Sequence, residues 1–308
     1  MKTISFILPC YGSEKTLHPV CDEIRNKVAE RKEEYEYEIV AVNDCSPDGV
    51  WDVILSLAAE DPQIIGINLA KNMNRPGAVM AGLANCTGDI AVVMDDDGQC
   101  PMDELWNLLA PLDGAYDVSM ADYPSRKQTV FKDFGTFVNK KMTEFIIERP
   151  KDLQFTNFIA MKRYIVTEIL KYENPYPYLT GLVLRTTKYI CNVPMEERNR
   201  LEGGTTFTFK KMVNLWINGF TAFSVKPLRI SALLGAIVAF SGFIYGLITI
   251  IRKIVLPDIP AGYASIIAVM LFLGGMILLM LGLVGEYIGR IYISINNSPQ
   301  YVIKERIN

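Results

Sequence analysis

The sequence predicts an α/β domain followed by a two-helix transmembrane hairpin. Three observations carry that expectation. Through Leu109, short apolar runs alternate with charged, helix-favouring stretches, an order that argues for a parallel sheet covered by helices on both faces. Polar turns rich in Asn, Asp, Gly and Pro close the apolar runs. Two uncharged stretches of 22 and 27 residues then follow one another from Ile230 onwards.

Ile4-Ser5-Phe6-Ile7-Leu8 reads as a buried strand that stops at Pro9, and Glu14 to Arg31 reads as a helix. Glu38 to Val42 is the next strand. It ends in the polar turn Asn43-Asp44-Cys45-Ser46-Pro47-Asp48-Gly49, and Trp51 to Ala59 is helical. Ile64 to Leu69 is a strand, Ala78 to Asn85 a helix, Ile90 to Met94 a strand closed by Asp95-Asp96-Asp97, and Met102 to Leu109 a helix. As a helix, Ile230 to Ile251 covers ~33 Å, the depth of a bilayer core. Ile259 to Gly285 is a second span, joined to the first through Arg252-Lys253-Ile254-Val255-Leu256-Pro257-Asp258. Seven basic residues flank the pair outside (Lys210, Lys211, Lys226, Arg229, Arg290, Lys304, Arg306) and two lie between, which puts both termini in the cytosol. Gly274, Gly275, Gly282, Gly285 and Gly289 suit close helix packing, within the hairpin or between subunits.

Charge and cysteine usage exclude several classes. With Lys+Arg 31 against Asp+Glu 34 over 308 residues, no basic excess points to nucleic acid and no acidic tail points to disorder. Six cysteines without a CxxC pair, and the single histidine His18, form no Cys/His metal site and fit reduced cytosolic thiols. The opening MKTISFILPCYG turns too soon for a signal peptide.

Ligands of parallel α/β sheets bind beyond the carboxyl ends of the strands, where Tyr11, Asp44 and Asp95 to Asp97 all fall. Neither GxGxxG nor GxxxxGK[ST] is present, so phosphates need another counter-charge. A divalent cation, Mg²⁺ or Mn²⁺, supplies one when held by one or two carboxylates and the substrate's phosphate oxygens. Three consecutive aspartates repel one another without such a cation.

Pro9-Cys10-Tyr11, the Asn43 to Gly49 turn and Asp95-Asp96-Asp97-Gly98-Gln99-Cys100-Pro101 resemble the family-2 glycosyltransferases. Arg200-Leu201-Glu202-Gly203-Gly204-Thr205-Thr206-Phe207 resembles R-x-x-G-x-S-K-Y of the polyprenyl-phosphate branch. Ala222 to Arg229, Gly285 to Tyr292 and Pro299-Gln300-Tyr301 resemble later stretches of that branch, so the likeness covers nearly the whole chain in order. It implies a GT-A (Rossmann-like) catalytic domain over 1–206, a juxtamembrane amphipathic helix over 207–229, the spans over 230–285 and a cytosolic tail over 286–308. It implies that Pro9, Tyr11, Glu14, Asp44, Asp95 and Asp96 bind the nucleotide, with Asp44 accepting from the base N–H. Asp95, Asp97 and Gln99 would hold the metal. Asp97, Asn157 and Arg200 would serve catalysis, and Arg126 and Arg200 would meet the acceptor phosphate. Lys71 and Arg75 would add charge at the same sheet edge, and sugar choice would rest on Asp96, Asn157 and loops near Tyr178 to Thr180.

The chain departs from the pattern in four places. Gly12-Ser13 precedes Glu14 where N-E is frequent, and Cys45 stands where glycine is usual. Thr206 replaces a phosphate-binding lysine, and Asn157 takes the place of an aspartate proposed as catalytic in some relatives.

The implied reaction is inverting transfer of a sugar from a nucleoside diphosphate, UDP foremost, to undecaprenyl phosphate in a bacterial inner membrane, for cell-envelope glycan modification. A phosphate monoester, with a second pKa of about 6, attacks without losing a proton, so Asn157 would orient rather than deprotonate. Gln128 to Ile147 and Phe207 to Phe223 pair basic residues with apolar ones at helical spacing, as helices lying in the headgroup layer do. A homo-oligomer is expected. The alternatives are transfer to another lipid or glycan acceptor, and a degenerate nucleotide-sugar scaffold that recruits a flippase.

Overall fold

The computed structural model describes residues 1–124, 153–175, 177–198, 226–255, 262–296 and 299–308. Arg126, Arg200 and both expected amphipathic helices, 128–147 and 207–223, lie outside the described residues. Met1–Met212 with Asn297–Asn308 forms one compact unit and Val213–Asn296 a second.

The first unit is built on an eight-stranded sheet. Its strands are β1 (Lys2–Cys10), β2 (Tyr35–Asn43), β3 (Ile64–Leu69), β4 (Ile90–Val93), β5 (Val118–Asp122), β6 (Ile159–Lys162), β7 (Ile190–Pro194) and β8 (Ile303–Ile307), in the order β7-β5-β6-β4-β1-β2-β3-β8. Helices α1 (Leu17–Ala29), α2 (Val50–Glu60), α3 (Asn74–Asn85), α4 (Leu105–Leu109), α5 (Arg163–Leu170) and α6 (Leu179–Thr186) connect them. Tyr178 to Thr180, read from the sequence as loop, enters α6 at Leu179. Every residue of β1 from Ile4 to Cys10 is buried, as a central strand covered on both faces requires. On α1, Leu17, Val20, Cys21, Ile24 and Val28 are buried at helical spacing.

The four strands expected from the sequence are parallel, and the whole sheet is mixed because of strands not expected there. β1 to β4 are parallel, but β6 runs antiparallel to β4 and β5, and β8 antiparallel to β3. The antiparallel β6 matters for the site. Because Val93 pairs with Ile159, the residues just beyond β4 face those just before β6. The strand order also reverses direction between β1 and β4, a switch point at which crevices open in such sheets.

In the second unit, α7 (Lys226–Val255) and α8 (Tyr263–Ile295) contain apolar windows, Ser231–Ile248 and Phe272–Ile295, long enough to cross a membrane, with none of their residues buried. α8 runs ten residues past Gly285, and its apolar window continues with it to Ile295 across Glu286. The stretch 286–308 therefore holds the end of a helix and an edge strand. Within the hairpin the tight approach is at Gly235, where a Cβ would lie 2.9 Å from Met280 Cε. A Cβ added at Gly274, Gly275, Gly282, Gly285 or Gly289 would meet nothing within 4 Å among the described residues.

Candidate active site

Three strand ends supply the site. β1 and β2 pair up to Cys10 and Asn43, and β4 pairs with β1 at Ile7 and Val93. Buried Pro9 ends the apolar run beneath exposed Tyr11, whose N–H donates to Asp96 Oδ2 at 3.3 Å. Gly12 follows with φ +73°, a left-handed turn that a glycine adopts without strain. Its N–H donates to Ser46 Oγ at 2.8 Å, and that hydroxyl donates to Asp48 Oδ1 at 2.6 Å. Asp48 Oδ2 accepts the Glu14 N–H at 2.9 Å, and Glu14 Oε2 accepts the Gly49 N–H at 3.2 Å, at the start of α2. Glu14 therefore ties the loop after β1 to the loop after β2.

Asp44 is buried. Its Oδ1 accepts the Met73 N–H at 2.6 Å and its backbone oxygen accepts from Asn72 Nδ2 at 3.1 Å. Burial pushes its carboxyl up to about 6, against the pull of the backbone N–H groups of Met73 and Asn74. Asn74 has φ +59°, and this turn leads directly into α3 and Arg75.

The three aspartates point to different partners. Asp95 Oδ1 accepts from Arg75 Nε at 2.7 Å, and Asp95 Oδ2 accepts from Asn157 Nδ2 at 2.7 Å. Asp96 is pushed up to about 7 by burial, with a further push from the charge on Asp95. Asp97 Oδ1 accepts the Gln99 N–H at 3.1 Å across Gly98, which has φ +76°. Gln99 Nε2 donates to the Arg198 carbonyl at 3.4 Å, and the Arg198 N–H returns to the Gln99 carbonyl at 3.2 Å. The Arg198 guanidinium pairs with Glu23 at 2.9 Å and also with Asp103.

The structure thus brings together Tyr11 with Asp96, Asp95 with Asn157, and Asp97 with Gln99. Asp44 joins them through residues 72–75. Sequence reasoning misses Asn72, Met73 and Arg198. Their only sequence signal is position, since each lies a few residues from a charged group at a strand end. From sequence Arg75 is added charge, whereas the structure makes it the direct partner of Asp95.

The donor set fits a hard cation. Among the described residues no three His, Cys, Asp or Glu side chains converge on one point. The donor type at these strand ends is the carboxylate, which Mg²⁺ or Mn²⁺ takes one or two at a time with water and substrate phosphate, and both Asp95 oxygens are here engaged by Arg75 and Asn157.

Residues 5–170, just over half of the chain, match Glycosyl transferase family 2. The chain belongs to this family. It is therefore a glycosyltransferase, and residues 226–291 match the GtrB C-terminal hairpin, which makes it membrane-associated. This family 2 enzyme is 32% identical over 308 residues to the SfII prophage-derived bactoprenol glucosyl transferase of Shigella flexneri, covering 98% of this chain and 97% of the other. It is 31% identical to the prophage bactoprenol glucosyl transferase homolog of Escherichia coli strain K12, covering 98% of each. It is 27% identical to the undecaprenyl-phosphate 4-deoxy-4-formamido-L-arabinose transferase of Photorhabdus laumondii, covering 99% and 94%. Among solved structures, mannosyl-3-phosphoglycerate synthase from Rubrobacter xylanophilus superposes with TM-score 0.51 at 16% identity over 75% of each chain, a likeness of fold.

Proposed function

We propose that this glycosyltransferase moves a sugar from a nucleoside diphosphate, UDP foremost, to undecaprenyl phosphate with inversion at the anomeric carbon. One observation carries the reading: the similarity to bactoprenol glucosyl transferases runs through both the sheet domain and the hairpin. The names of the relatives differ in sugar yet share a polyprenyl lipid, which supports the acceptor more strongly than the sugar.

In this reading Asp44 accepts from the base, Tyr11 lines the base and ribose pocket, and Asp95 and Asp97 with Gln99 face the donor diphosphate. A bound Mg²⁺ or Mn²⁺ supplies charge neutralisation for the departing diphosphate. Asn157 holds the Asp95 carboxylate through its amide N–H, an orienting role that a side chain without useful basicity can fill. No base is needed, because an acceptor phosphate with a second pKa of about 6 is already dianionic in the cytosol. Arg126 and Arg200 are assigned to that phosphate. The sheet domain and both termini lie on the cytosolic side of a bacterial inner membrane, and the product supplies cell-envelope glycan modification. Glycines on α8 with no neighbour leave room for a second copy, and a flippase would carry the product across.

The test incubates the purified protein with undecaprenyl phosphate, Mg²⁺ or Mn²⁺ and a panel of radiolabelled nucleotide-sugars. A lipid-extractable labelled product with stoichiometric release of nucleoside diphosphate is expected. Release that does not depend on lipid phosphate, or label only in water-soluble glycan, would overturn the reading.

A further inference from the structure

Arg75 is held unlike a surface arginine. Its Nε lies 2.7 Å from Asp95 Oδ1, one of its terminal nitrogens donates to the Asn157 carbonyl at 3.4 Å, and Asn157 Nδ2 covers Asp95 Oδ2 at 2.7 Å. Both side chains of the ion pair are half-shielded, 34% exposed for Arg75 and 26% for Asp95. Both oxygens of the carboxylate nearest the switch point are thus engaged by this chain's own donors.

The backbone around Arg75 is fixed. The Met73 N–H is held by Asp44, and a Cβ at Gly77 would lie 2.6 Å from Met73 Cβ and 3.2 Å from the Gln300 carbonyl. The guanidinium sits at the end of a long side chain, and its planar fork matches carboxylate and phosphate equally well. A guanidinium and a dication on one carboxylate repel each other, so the two compete for Asp95.

We propose that Arg75 is the internal counter-ion of Asp95 in the donor-free enzyme and leaves it for the donor diphosphate when the divalent cation binds. This rests on the transfer reaction proposed above. Arg75 is then a positioning residue that couples cation and nucleotide. Without nucleotide the cation must displace the guanidinium, whereas with nucleotide the displaced charge finds a diphosphate. By linkage the same factor tightens nucleotide binding in the presence of the cation.

The test titrates Mn²⁺ into the full-length protein with and without UDP, reading free Mn²⁺ by electron paramagnetic resonance. Arg75→Met should tighten Mn²⁺ binding without UDP by about tenfold and lower the UDP–Mn²⁺ coupling by about the same factor. Lys32→Met removes the same charge from an exposed position before β2, at the end of the sheet away from the site, and should change either quantity by less than about twofold. Arg75→Lys keeps the charge but loses the fork, and should fall between wild type and Arg75→Met. Thermal unfolding of each variant shows that it is folded. Equal effects of the Lys32 and Arg75 changes, or weaker Mn²⁺ binding in Arg75→Met, would overturn the inference and leave the transfer reaction standing. A wild-type protein that binds no Mn²⁺ with or without UDP would overturn both.

Discussion

Burial lifts the Asp44 carboxyl to about 6 although two backbone N–H groups favour its charged form. The folded pKa lies above the ordinary 3.8, so this group's contribution to stability is fully present below about pH 4 and is lost as pH rises through about 6. Nucleotide binding runs the other way, because accepting a base N–H favours the carboxylate. UDP-sugar affinity should therefore rise as pH passes through about 6, and Asp44→Asn should bind weakly and lose that part of the rise. The phosphates of a UDP-sugar do not titrate in that range, but Asp96 does at about 7, so calorimetry on both proteins assigns to Asp44 the difference between them; identical profiles would remove Asp44 from the base pocket. Asp97 and Asn157 differ in the same chemical sense. In the proposed reaction Asp97 would help hold the cation that neutralises the departing diphosphate, so its loss should lower kcat by about 10²–10³, and loss of the Asn157 amide beside Asp95 by about tenfold. Steady-state rates of Asp97→Ala and Asn157→Ala compare them, and a more damaging asparagine change would overturn the orienting role assigned to Asn157. The aspartates were legible in the sequence because they follow strands. The pairing of Arg75 with Asp95 was not, since α3 and β4 bring them together only through sheet register.

Far from the site, a buried network pins the strands that carry it. Glu38 on β2 accepts from Ser5 Oγ of β1 at 2.6 Å, from the Thr87 N–H at 2.8 Å and from Thr87 Oγ1 at 2.7 Å, and the Gly88 N–H donates to Ser5 Oγ at 2.8 Å. A Cβ at Gly88 would come within 2.7 Å of the Thr3 carbonyl and 2.9 Å of the Ser5 nitrogen, atoms of the central strand that have no slack. Gly88→Ala should cost about 2 kcal/mol and lower Tm by about 4–8 °C, measurable by thermal unfolding. An unchanged Tm would mean that the β1–β4 register is softer than the contacts imply. The elements from β1 to β4 were readable because strands buried on both faces leave unbroken apolar runs. β6 is only Ile-Ala-Met-Lys, and β7 carries Asn192 and Pro194, so neither has a run long enough to read. β8 reads Ile-Lys-Glu-Arg-Ile, a charged edge that looks like a solvated tail until its pairing with β3 is known.

At the scale of the whole chain, that last strand constrains the membrane crossing. The chain leaves the sheet unit before α7 and re-enters it at β8, where Ile67 pairs with Arg306 and the Ala70 N–H donates to the Val302 carbonyl at 2.8 Å. Asn308 Nδ2 adds bonds to the carbonyls of Ala58 and Ile64 at 3.1 and 2.9 Å. A strand hydrogen-bonded to β3 must lie on the same side of the bilayer as β3, so the segment between requires an even number of crossings. In the proposed topology α7 and α8 supply two, and the basic residues outside them would put the sheet unit in the cytosol. In a Cys45→Ser background, which removes the one exposed thiol among the native cysteines, Asp258→Cys should react with a membrane-impermeant maleimide added to intact spheroplasts. Lys304→Cys, at an exposed position of β8 itself, should react only after lysis. Labelling of Lys304→Cys from outside would break the link between β8 and the sheet, and with it the two-crossing topology. Protection of both sites until lysis would instead show that α7 and α8 lie against the membrane without crossing it.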